Sequence, residues 1–323
     1  YTVDLVEGNA TLRVGDDLAV GSYISKFQYN GDENYYSSDI AEFIFTVDKT
    51  FTNITTVAES VEYGKPQTIT FALTSDKATG NFTVLVNNKP YTVYVNDPKL
   101  DLGILNAGEY TIIVTYNGDE NYNVARNETA FNVTKKQTVP IVKYDETVKV
   151  GNNQTVEVEF TECDENATVK LELNGNIKLQ TISGNKAVFE LADLKEGNYT
   201  FTISYEGLNY VAESMSKSFN VTKNELDITA YAINATAGNN ISIIISGIPN
   251  DAKGVVTVTV DGTNYGARLA DEKYVAEIPA LKVGENTATI TFSGDDKYAP
   301  ASTTADFNVT PLNVDVKLDV GSE

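Results

Sequence analysis

The sequence contains no histidine, no tryptophan and only one cysteine, Cys163, among its 323 residues. With a single thiol, no disulfide can form within the chain, so its stability must come from the burial of apolar side chains. The absence of histidine removes the commonest general base and excludes Ser-His-Asp and Cys-His catalysis. Cys163 is flanked by Glu162 and Asp164, whose negative charge disfavours the thiolate, and we interpret it as an incidental thiol.

Positive charge is also scarce: 24 Lys and Arg stand against 45 Asp and Glu, a formal net charge of −21. This balance keeps molecules soluble and separate, and it disfavours nucleic acid as a partner. No apolar run reaches membrane-spanning length, so we expect no membrane insertion within this segment. No signal sequence is recognisable at Tyr1, which fits a sequence that is part of a longer one.

The residues that are abundant indicate an all-β fold. Apolar residues make up 41% of the chain, enough for packed cores, and Thr, Val, Ile, Tyr and Asn dominate the composition. Thr, Val, Ile and Tyr are typical of strands, and Asn is typical of turns. No stretch shows helical periodicity.

An internal repeat organises the chain. The heptapeptide Tyr-Asn-Gly-Asp-Glu-Asn-Tyr occurs at 29–35 and again at 116–122. Related segments begin at Tyr205 and Phe292, so successive landmarks are 87, 89 and 87 residues apart. Self-similarity at a fixed spacing indicates a tandem array of one structural unit of about 88 residues.

A second landmark lies upstream of each heptapeptide, with the pattern Leu, two residues, Gly, one residue, Tyr, then strict alternation. Period-two alternation of β-branched residues predicts a strand buried on one face. The Gly-x-Tyr element resembles the tyrosine corner of Ig-type sandwiches, in which the ring lies under a turn and the hydroxyl bonds to the backbone. We expect buried corner tyrosines at Tyr23, Tyr110 and Tyr199, while the fourth copy has Asn286 at this position.

Each full copy contains about seven short strands, with turns every 8 to 12 residues. Asn174-Gly175 and Asp261-Gly262 predict two-residue hairpins. We therefore predict tandem Ig-like β-sandwich domains arranged as an extended rod. The heptapeptide becomes a hairpin tip between two core strands, and a glycine in each tip is expected to supply the positive φ: Gly31, Gly118, Gly207 and Gly294.

The landmarks set the predicted boundaries. Residues 1–48 correspond to the C-terminal part of a repeat, and 311–323 to the first strand of a further repeat. Complete repeats are predicted at 49–134, 135–222 and 223–310. Junctions of two or three residues restrict bending, which is why we expect repeats to stack end to end.

Asn-x-Ser/Thr motifs are in excess. The composition gives roughly five by chance, but the sequence contains 12, as suits a surface-exposed protein. Three of them lie between an inward Phe and an inward Val and must face outward: Asn132, Asn220 and Asn308. The others are Asn9, Asn53, Asn81, Asn127, Asn153, Asn166, Asn198, Asn234 and Asn240.

Acidic residues offer few sites for chemistry. Asp32, Asp119 and Asp295 in the tips are candidates for Ca²⁺, but one turn offers only two or three of the six to eight oxygens that Ca²⁺ needs. Adjacent acids such as Asp16-Asp17 and Asp164-Glu165 point to opposite faces of a strand and cannot flank one bond. We expect no enzyme activity and no cofactor.

The composite motif Tyr-x-Gly-Asp-x-x-Tyr…Phe-x-Val-Thr, with Leu-x-x-Gly-x-Tyr-Thr upstream, resembles the bacterial-type Ig-like repeats of adhesin-like surface proteins of methanogenic archaea. The resemblance covers the whole chain and implies an extracellular stalk, anchored to the cell wall, that serves in attachment to host or neighbouring cells. Two functions remain open. The repeats are spacers for a binding domain elsewhere, or they themselves pair with other copies into a filament or recognise surface glycans.

Overall fold

The computed structural model describes residues 1–15, 18–279 and 281–317, and the regular structure throughout them is β-strand. The predicted all-β class, built of Ig-like sandwiches, is confirmed. By contact density the chain forms two compact units, one of Tyr1–Thr138 with Gly207–Val211, and one of Val139–Glu206 with Ala212–Glu323. None of the described residues forms a helix long and apolar enough to cross a membrane.

The first, partial repeat forms one antiparallel hairpin. Its strands are β1 (Gly21–Phe27) and β2 (Ala41–Val47), paired from Gly21 opposite Val47 to Phe27 opposite Ala41. The rings of Tyr23 and Phe45 stack with centroids 5.4 Å apart. Aromatic pairs of this kind stabilise facing strands beyond their buried area.

The second repeat is a sandwich of two sheets. The smaller sheet has the order β3-β5-β8 and the larger the order β4-β10-β9-β6-β7. Strand β4 is parallel to β10, whereas β9 and β10 are antiparallel. The strands are β3 (Ile54–Val57), β4 (Val61–Glu62), β5 (Pro66–Leu73), β6 (Asn81–Val86), β7 (Lys89–Tyr94), β8 (Lys99–Ile104), β9 (Gly108–Tyr116) and β10 (Ala125–Thr134).

The third repeat repeats this plan with the sheets β12-β14-β17 and β19-β18-β15-β16, and β13 pairs in parallel with β19. Its strands are β11 (Lys136–Gln137), β12 (Ile141–Lys143), β13 (Thr147–Lys149), β14 (Gln154–Glu159), β15 (Thr168–Leu173), β16 (Asn176–Thr181), β17 (Lys186–Leu191), β18 (Gly197–Glu206) and β19 (Tyr210–Thr222).

In the fourth repeat the sheets have the orders β20-β22-β26-β25 and β21-β28-β27-β23-β24. The strands are β20 (Thr229–Ala232), β21 (Ala235–Thr236), β22 (Ile241–Ser246), β23 (Val256–Val260), β24 (Thr263–Gly266), β25 (Arg268–Ala270), β26 (Lys273–Ile278), β27 (Gly284–Phe292) and β28 (Ala301–Thr310).

Each complete repeat has its own core, built by strict alternation. In β22, for example, Ile241, Ile243 and Ile245 are buried while the residues between them are partly exposed. Each fully buried Ile or Phe contributes roughly 1.5–3 kcal/mol through removal of apolar surface from water. The core of the second repeat contains Ile54, Ile69, Phe71, Phe82, Val84, Ile112, Val114, Tyr116, Phe131 and Val133.

The two-residue hairpins that the sequence predicts are confirmed. Asn174 and Gly175 have φ of 50° and 79°, and Asp261 and Gly262 have φ of 49° and 77°, as a type I′ turn requires. The corresponding hairpin of the second repeat uses two asparagines, Asn87 and Asn88, also at positive φ.

Two predictions concern residues at the margins of the described chain. Residues 311–317 form no strand, and 318–323 lie outside the described residues. The further first strand therefore stays a prediction, as do the boundaries of the repeats. The acid pair Asp16-Asp17 also lies outside the described residues.

Candidate functional site

The hairpin tip of the second repeat is held by one carboxylate. Asp119 Oδ1 accepts hydrogen bonds from the main-chain N–H groups of Asn121 and Tyr122, at 2.8 and 2.7 Å. Asp119 Oδ2 accepts from the N–H and the hydroxyl of Thr79, at 2.7 and 3.0 Å, in the loop before β6. The side chain therefore closes the tip and ties it to the neighbouring loop.

These donors determine the titration of Asp119. Burial by itself raises the pKa of a carboxyl group, but the N–H groups of Thr79, Asn121 and Tyr122 favour the ionised form more strongly. Together they lower the pKa of Asp119 to about 2. The main-chain oxygen of Asp119 also accepts a hydrogen bond from Lys49 Nζ.

The tips of the first and fourth repeats are also closed by an aspartate that accepts main-chain N–H groups. Asp32 Oδ1 accepts from the N–H groups of the second and third residues after it, at 2.7 and 2.9 Å. Asp295 Oδ1 does the same at 2.8 and 2.7 Å, and its Oδ2 accepts from Lys253 N at 2.6 Å. The pKa of each carboxyl is lowered, for Asp32 mainly by the hydrogen bond from the Tyr29 hydroxyl, and for Asp295 by its N–H donors, which outweigh burial.

Glycine precedes each of these aspartates for a steric reason. Gly31, Gly118 and Gly294 have φ of 84°, 79° and 74°. A Cβ at these positions would lie 2.8, 2.9 and 2.8 Å from the main chain that closes the turn, closer than real side chains approach. Any other residue would therefore open the tip.

The third tip is one residue shorter, and Gly207 occupies the place of the aspartate. Its N–H donates to the Tyr210 carbonyl at 2.9 Å, the bond that Asp119 N makes to Tyr122 in the second repeat at 3.1 Å. The tip thus keeps its main-chain closure without a carboxylate. Sequence reasoning aligned Gly207 with the other tip glycines and did not detect this shift.

This geometry gives the tip aspartates a structural role. The carboxylate oxygens of Asp119 already accept four hydrogen bonds from Thr79, Asn121 and Tyr122. Within the described residues, no three Asp, Glu, Cys or His side chains are grouped to hold a metal ion. A Ca²⁺ ion would have to replace these donors, so the arrangement is that of a turn cap.

The corner tyrosines bond to the backbone four residues earlier. The hydroxyl of Tyr110 donates to the carbonyl of Asn106 at 3.0 Å, and that of Tyr199 to Lys195 at 3.1 Å. The hydroxyl of Tyr23 donates to the Ala19 carbonyl at 2.6 Å.

These rings are only half-buried, against the expectation of full burial. One face of each stacks on a phenylalanine of the next strand: Tyr110 on Phe131 at 5.1 Å and Tyr199 on Phe219 at 5.3 Å. The rest of each side chain is partly exposed to solvent. In the fourth repeat Asn286 Nδ2 donates to the Gly284 carbonyl at 2.9 Å and, at 3.4 Å, to the carbonyl of Lys282 four residues earlier.

Most glycosylation motifs are accessible. Asn132, Asn220 and Asn308 are exposed, each between a buried Phe and a buried Val on the last strand of its repeat. Asn81 and Asn127 are half-buried, and the remaining acceptors are exposed: Asn9, Asn53, Asn153, Asn166, Asn198, Asn234 and Asn240.

Cys163 is half-buried, with its Sγ 3.4 Å from Asn185 Oδ1. Burial, and then the charges of Glu165 and Asp164, raise the pKa of its thiol. A raised pKa disfavours the nucleophilic thiolate.

Within each compact unit, neighbouring repeats touch through a few specific contacts. The rings of Tyr63 and Tyr210 meet edge to face at 5.3 Å, and Asn209 Oδ1 accepts a hydrogen bond from Ala107 N at 2.9 Å. Between the third and fourth repeats, Asn224 Nδ2 donates to the Val150 carbonyl at 3.0 Å.

Comparison with known proteins gives similarity of fold only. No family model and no curated protein matches the sequence. The chain is similar to the I9-I11 tandem of titin (13% identity, TM-score 0.32, covering 80% of this chain and 100% of that chain). It is also similar to a tetra-tandem repeat from the extending region of a large adhesion protein (16%, 0.38, 91% and 83%) and to the fibronectin(III)-like modules of Clostridium thermocellum CbhA (14%, 0.25, 56% and 100%). At these scores the similarity does not extend to function.

Proposed function

We propose that this chain is part of the structural stalk of an extracellular, adhesin-like cell-surface protein, in which the Ig-like repeats act as spacers that project a binding domain for attachment to host or neighbouring cells. The observation that carries this proposal is that the landmark residues of each repeat serve the structure of that repeat. The tip aspartates and corner tyrosines, which mark the repeat in the sequence, make their hydrogen bonds within their own repeat.

The exposed aromatic side chains support a spacer. Tyr36 follows the first tip, Phe51 lies at the start of the second repeat, and Tyr94 ends β7; they are 98%, 85% and 60% exposed. These positions are not equivalent between repeats. Glycan-binding surfaces present aromatic platforms, and a repeated binding module would place them at the same position in each copy.

The contacts between successive repeats also support a spacer. They use side chains at the ends of repeats, such as the ring pair of Tyr63 and Tyr210 and the amide of Asn224. Contacts at both ends of a short junction restrict bending. We propose that complete repeats follow one another end to end.

Small-angle scattering of the whole chain tests the stalk. Strands of eight to ten residues rising about 3.3 Å each predict a largest dimension on the order of 100 Å or more for three complete repeats in line. Tyr210→Ala removes the ring contact with Tyr63 and should broaden the distribution of dimensions, whereas the exposed control Tyr36→Ala should not. A compact profile for the unmodified chain would contradict the stalk.

We further propose that the outward acceptors Asn132, Asn220 and Asn308 carry glycans, because each is exposed on a last strand. Intact mass of protein from its native source should exceed the mass of the bare sequence, and peptide mapping should place the excess on these asparagines first. A mass equal to the bare sequence would reject this proposal. Protein made in a host without the modifying enzymes serves as the unmodified reference.

A further inference from the structure

The third repeat has an unusual sheet edge. Strand β16 is the last strand of its sheet, and all six of its residues are exposed. Its register places Lys178 and Gln180 opposite the buried Leu171 and Val169. Paired residues share a face, so the core-facing side of this edge strand is polar.

The outward face of β16 is apolar. Ile177 and Leu179 point away from the core and are 56% and 66% exposed. In the second repeat this arrangement is reversed: Val93 of the equivalent strand β7 is buried, and Thr92, at the position of Leu179, is exposed. The apolar residues of β16 therefore do not serve the core of their own repeat.

The main chain of β16 is also available for pairing. Ile182 N donates to the Ala167 carbonyl of the preceding strand segment at 2.8 Å. Hydrogen bonding to one neighbour alternates along an antiparallel strand, so every second residue before Ile182 is bonded to β15. The N–H and C=O groups of Ile177, Leu179 and Thr181 consequently point to the open edge.

The other complete repeats protect this edge. Pro90 stands at the position of Ile177 in the second repeat and offers no N–H. In the fourth repeat β24 ends at Gly266 after four residues, and the chain continues in β25, which pairs in the other sheet. Proline and short edge strands are common ways of preventing edge-to-edge association. Among the described complete repeats, only the third has neither.

We propose that β16 pairs antiparallel with β16 of a second copy of this chain, about a two-fold axis at Leu179. In this register Leu179 faces Leu179 of the other copy, Ile177 faces Thr181, and Lys178 faces Gln180. The main-chain groups that point outward then meet their counterparts, and the two third-repeat sheets become one. Such a pairing uses the same surface on both copies and is closed at two molecules.

Charge and hydrogen bonding favour this register over the alternative. An axis at Lys178 would place the two lysines opposite each other and leave two residue pairs, instead of three, in hydrogen-bonding register. Few charged side chains stand around the edge: Lys170 pairs with Glu172 at 3.0 Å, and Lys178, which keeps its charge, donates to the main-chain carbonyl of Glu190. A second copy therefore meets a self-complementary strand without a concentration of negative charge, on a strongly acidic molecule.

The association should be weak and should strengthen with salt. One strand pair buries less than the roughly 1,200 Å² of the smallest stable interfaces. The net charge of −21 repels a second copy, and salt screens this repulsion beyond a few ångströms. Apolar contacts and main-chain pairing are not weakened by salt in this way. An interface built from ion pairs would show the opposite dependence.

Sedimentation velocity of the full chain over a concentration series, at low and high salt, tests the proposal. We expect a monomer–dimer equilibrium that strengthens with salt. Leu179→Lys places two charges at the centre of the pairing, and Ile177→Pro introduces the residue that the second repeat carries; both should abolish dimers. Thr92→Lys adds the same charge at the equivalent position of the second repeat, outside the proposed interface, and should leave the dimer in place.

Cross-linking fixes the register. In a Cys163→Ser background, Leu179→Cys should give a disulfide-linked dimer under mild oxidation, and the control Thr92→Cys should not. A strictly monomeric chain at millimolar concentration in high salt would overturn the proposal, as would dimers that persist in Ile177→Pro. Circular dichroism of each variant establishes that loss of dimer is not loss of folding.

Discussion

The tips of the second and third repeats reach the same main-chain closure by different means. In the second repeat Asp119 gathers N–H groups from the tip and from Thr79. In the third repeat the loop is one residue shorter, Gly207 makes the closing bond itself, and no carboxylate stands at that position. The comparison separates the turn, which both repeats need, from the carboxylate, which only the longer loop needs.

The tyrosine beneath each tip differs as well. Tyr205 is hydrogen bonded to Asp164, whose N–H donates to its hydroxyl at 2.9 Å. The equivalent hydroxyl of Tyr116 is buried and has no partner in hydrogen-bond geometry, although the Asp119 carboxylate lies near it. Burial, with a smaller contribution from the nearby carboxylate of Asp119 or Asp164, raises the pKa of Tyr116 and of Tyr205 to about 12. In the third repeat the loop before β15 is therefore held by the Tyr205 hydroxyl, whereas in the second repeat the loop before β6 is held by the Asp119 carboxylate.

The largest expected effect is that of Asp119→Ala. It leaves three N–H groups without an acceptor and should destabilise the second repeat by about 2–3 kcal/mol. Hydrogen exchange of the whole chain should become faster in peptides of the second repeat and should not change in peptides of the third. Glu120→Ala removes the same charge from the same tip and is the control. Equal effects of the two variants would show that charge, not capping, matters.

Lowering the pH should reduce the stability of the second repeat through Asp119, a contribution that the third repeat does not have. The pKa of Asp119 is lowered from 3.8 to about 2 in the folded chain, so this group stabilises the second repeat above pH 4 and the contribution is lost as the pH falls from about 4 to 2. The loss amounts to about 2 kcal/mol. Hydrogen exchange at pH 4 and pH 2.5, corrected for intrinsic rates, should show it in the second repeat. An unchanged pH response in Asp119→Asn would contradict the assignment.

The tyrosines beneath the tips should respond unequally to loss of the hydroxyl. Tyr205→Phe removes the bonds to Asp164 and should destabilise the third repeat by about 1.5 kcal/mol. Tyr116→Phe removes a buried hydroxyl without a partner and should be neutral or stabilising. Thermal unfolding of the two variants, followed by repeat-resolved hydrogen exchange, measures both. A greater loss in Tyr116→Phe would mean that Asp119 or a water binds this hydroxyl.

The corners, in contrast to the tips, should behave alike. Tyr110→Phe and Tyr199→Phe each remove one hydrogen bond to a carbonyl four residues earlier and should each cost about 1 kcal/mol. The ring stacking on Phe131 and Phe219 is retained in both variants. Chemical denaturation with repeat-resolved detection measures the loss of stability in each variant. If the losses at the two corners differ as much as the losses at the two tips, the corners are not equivalent and the prediction is wrong.

Much of the fold was predictable because it depends on local rules. Alternation located the strands, and Asn174-Gly175 and Asp261-Gly262 located hairpins through the positive φ that these residues tolerate. The sequence did not reveal that Asp119 also ties the tip to Thr79, because Thr79 is 40 residues away. Nor did it reveal the apolar outer face of β16, because which residues face outward depends on the register with β15.

Each complete repeat also fixes its two ends to each other. The segment near the start of the repeat lies parallel to its last strand: Val61 beside Val133, Thr147 beside Asn220, and Ala235 beside Val309. When the two ends of a repeat are pulled apart, parallel strands must slide along each other, and their hydrogen bonds are loaded in shear together instead of opening one at a time. An array of repeats built this way would resist tension up to a threshold force, and would then lengthen by one repeat at a time.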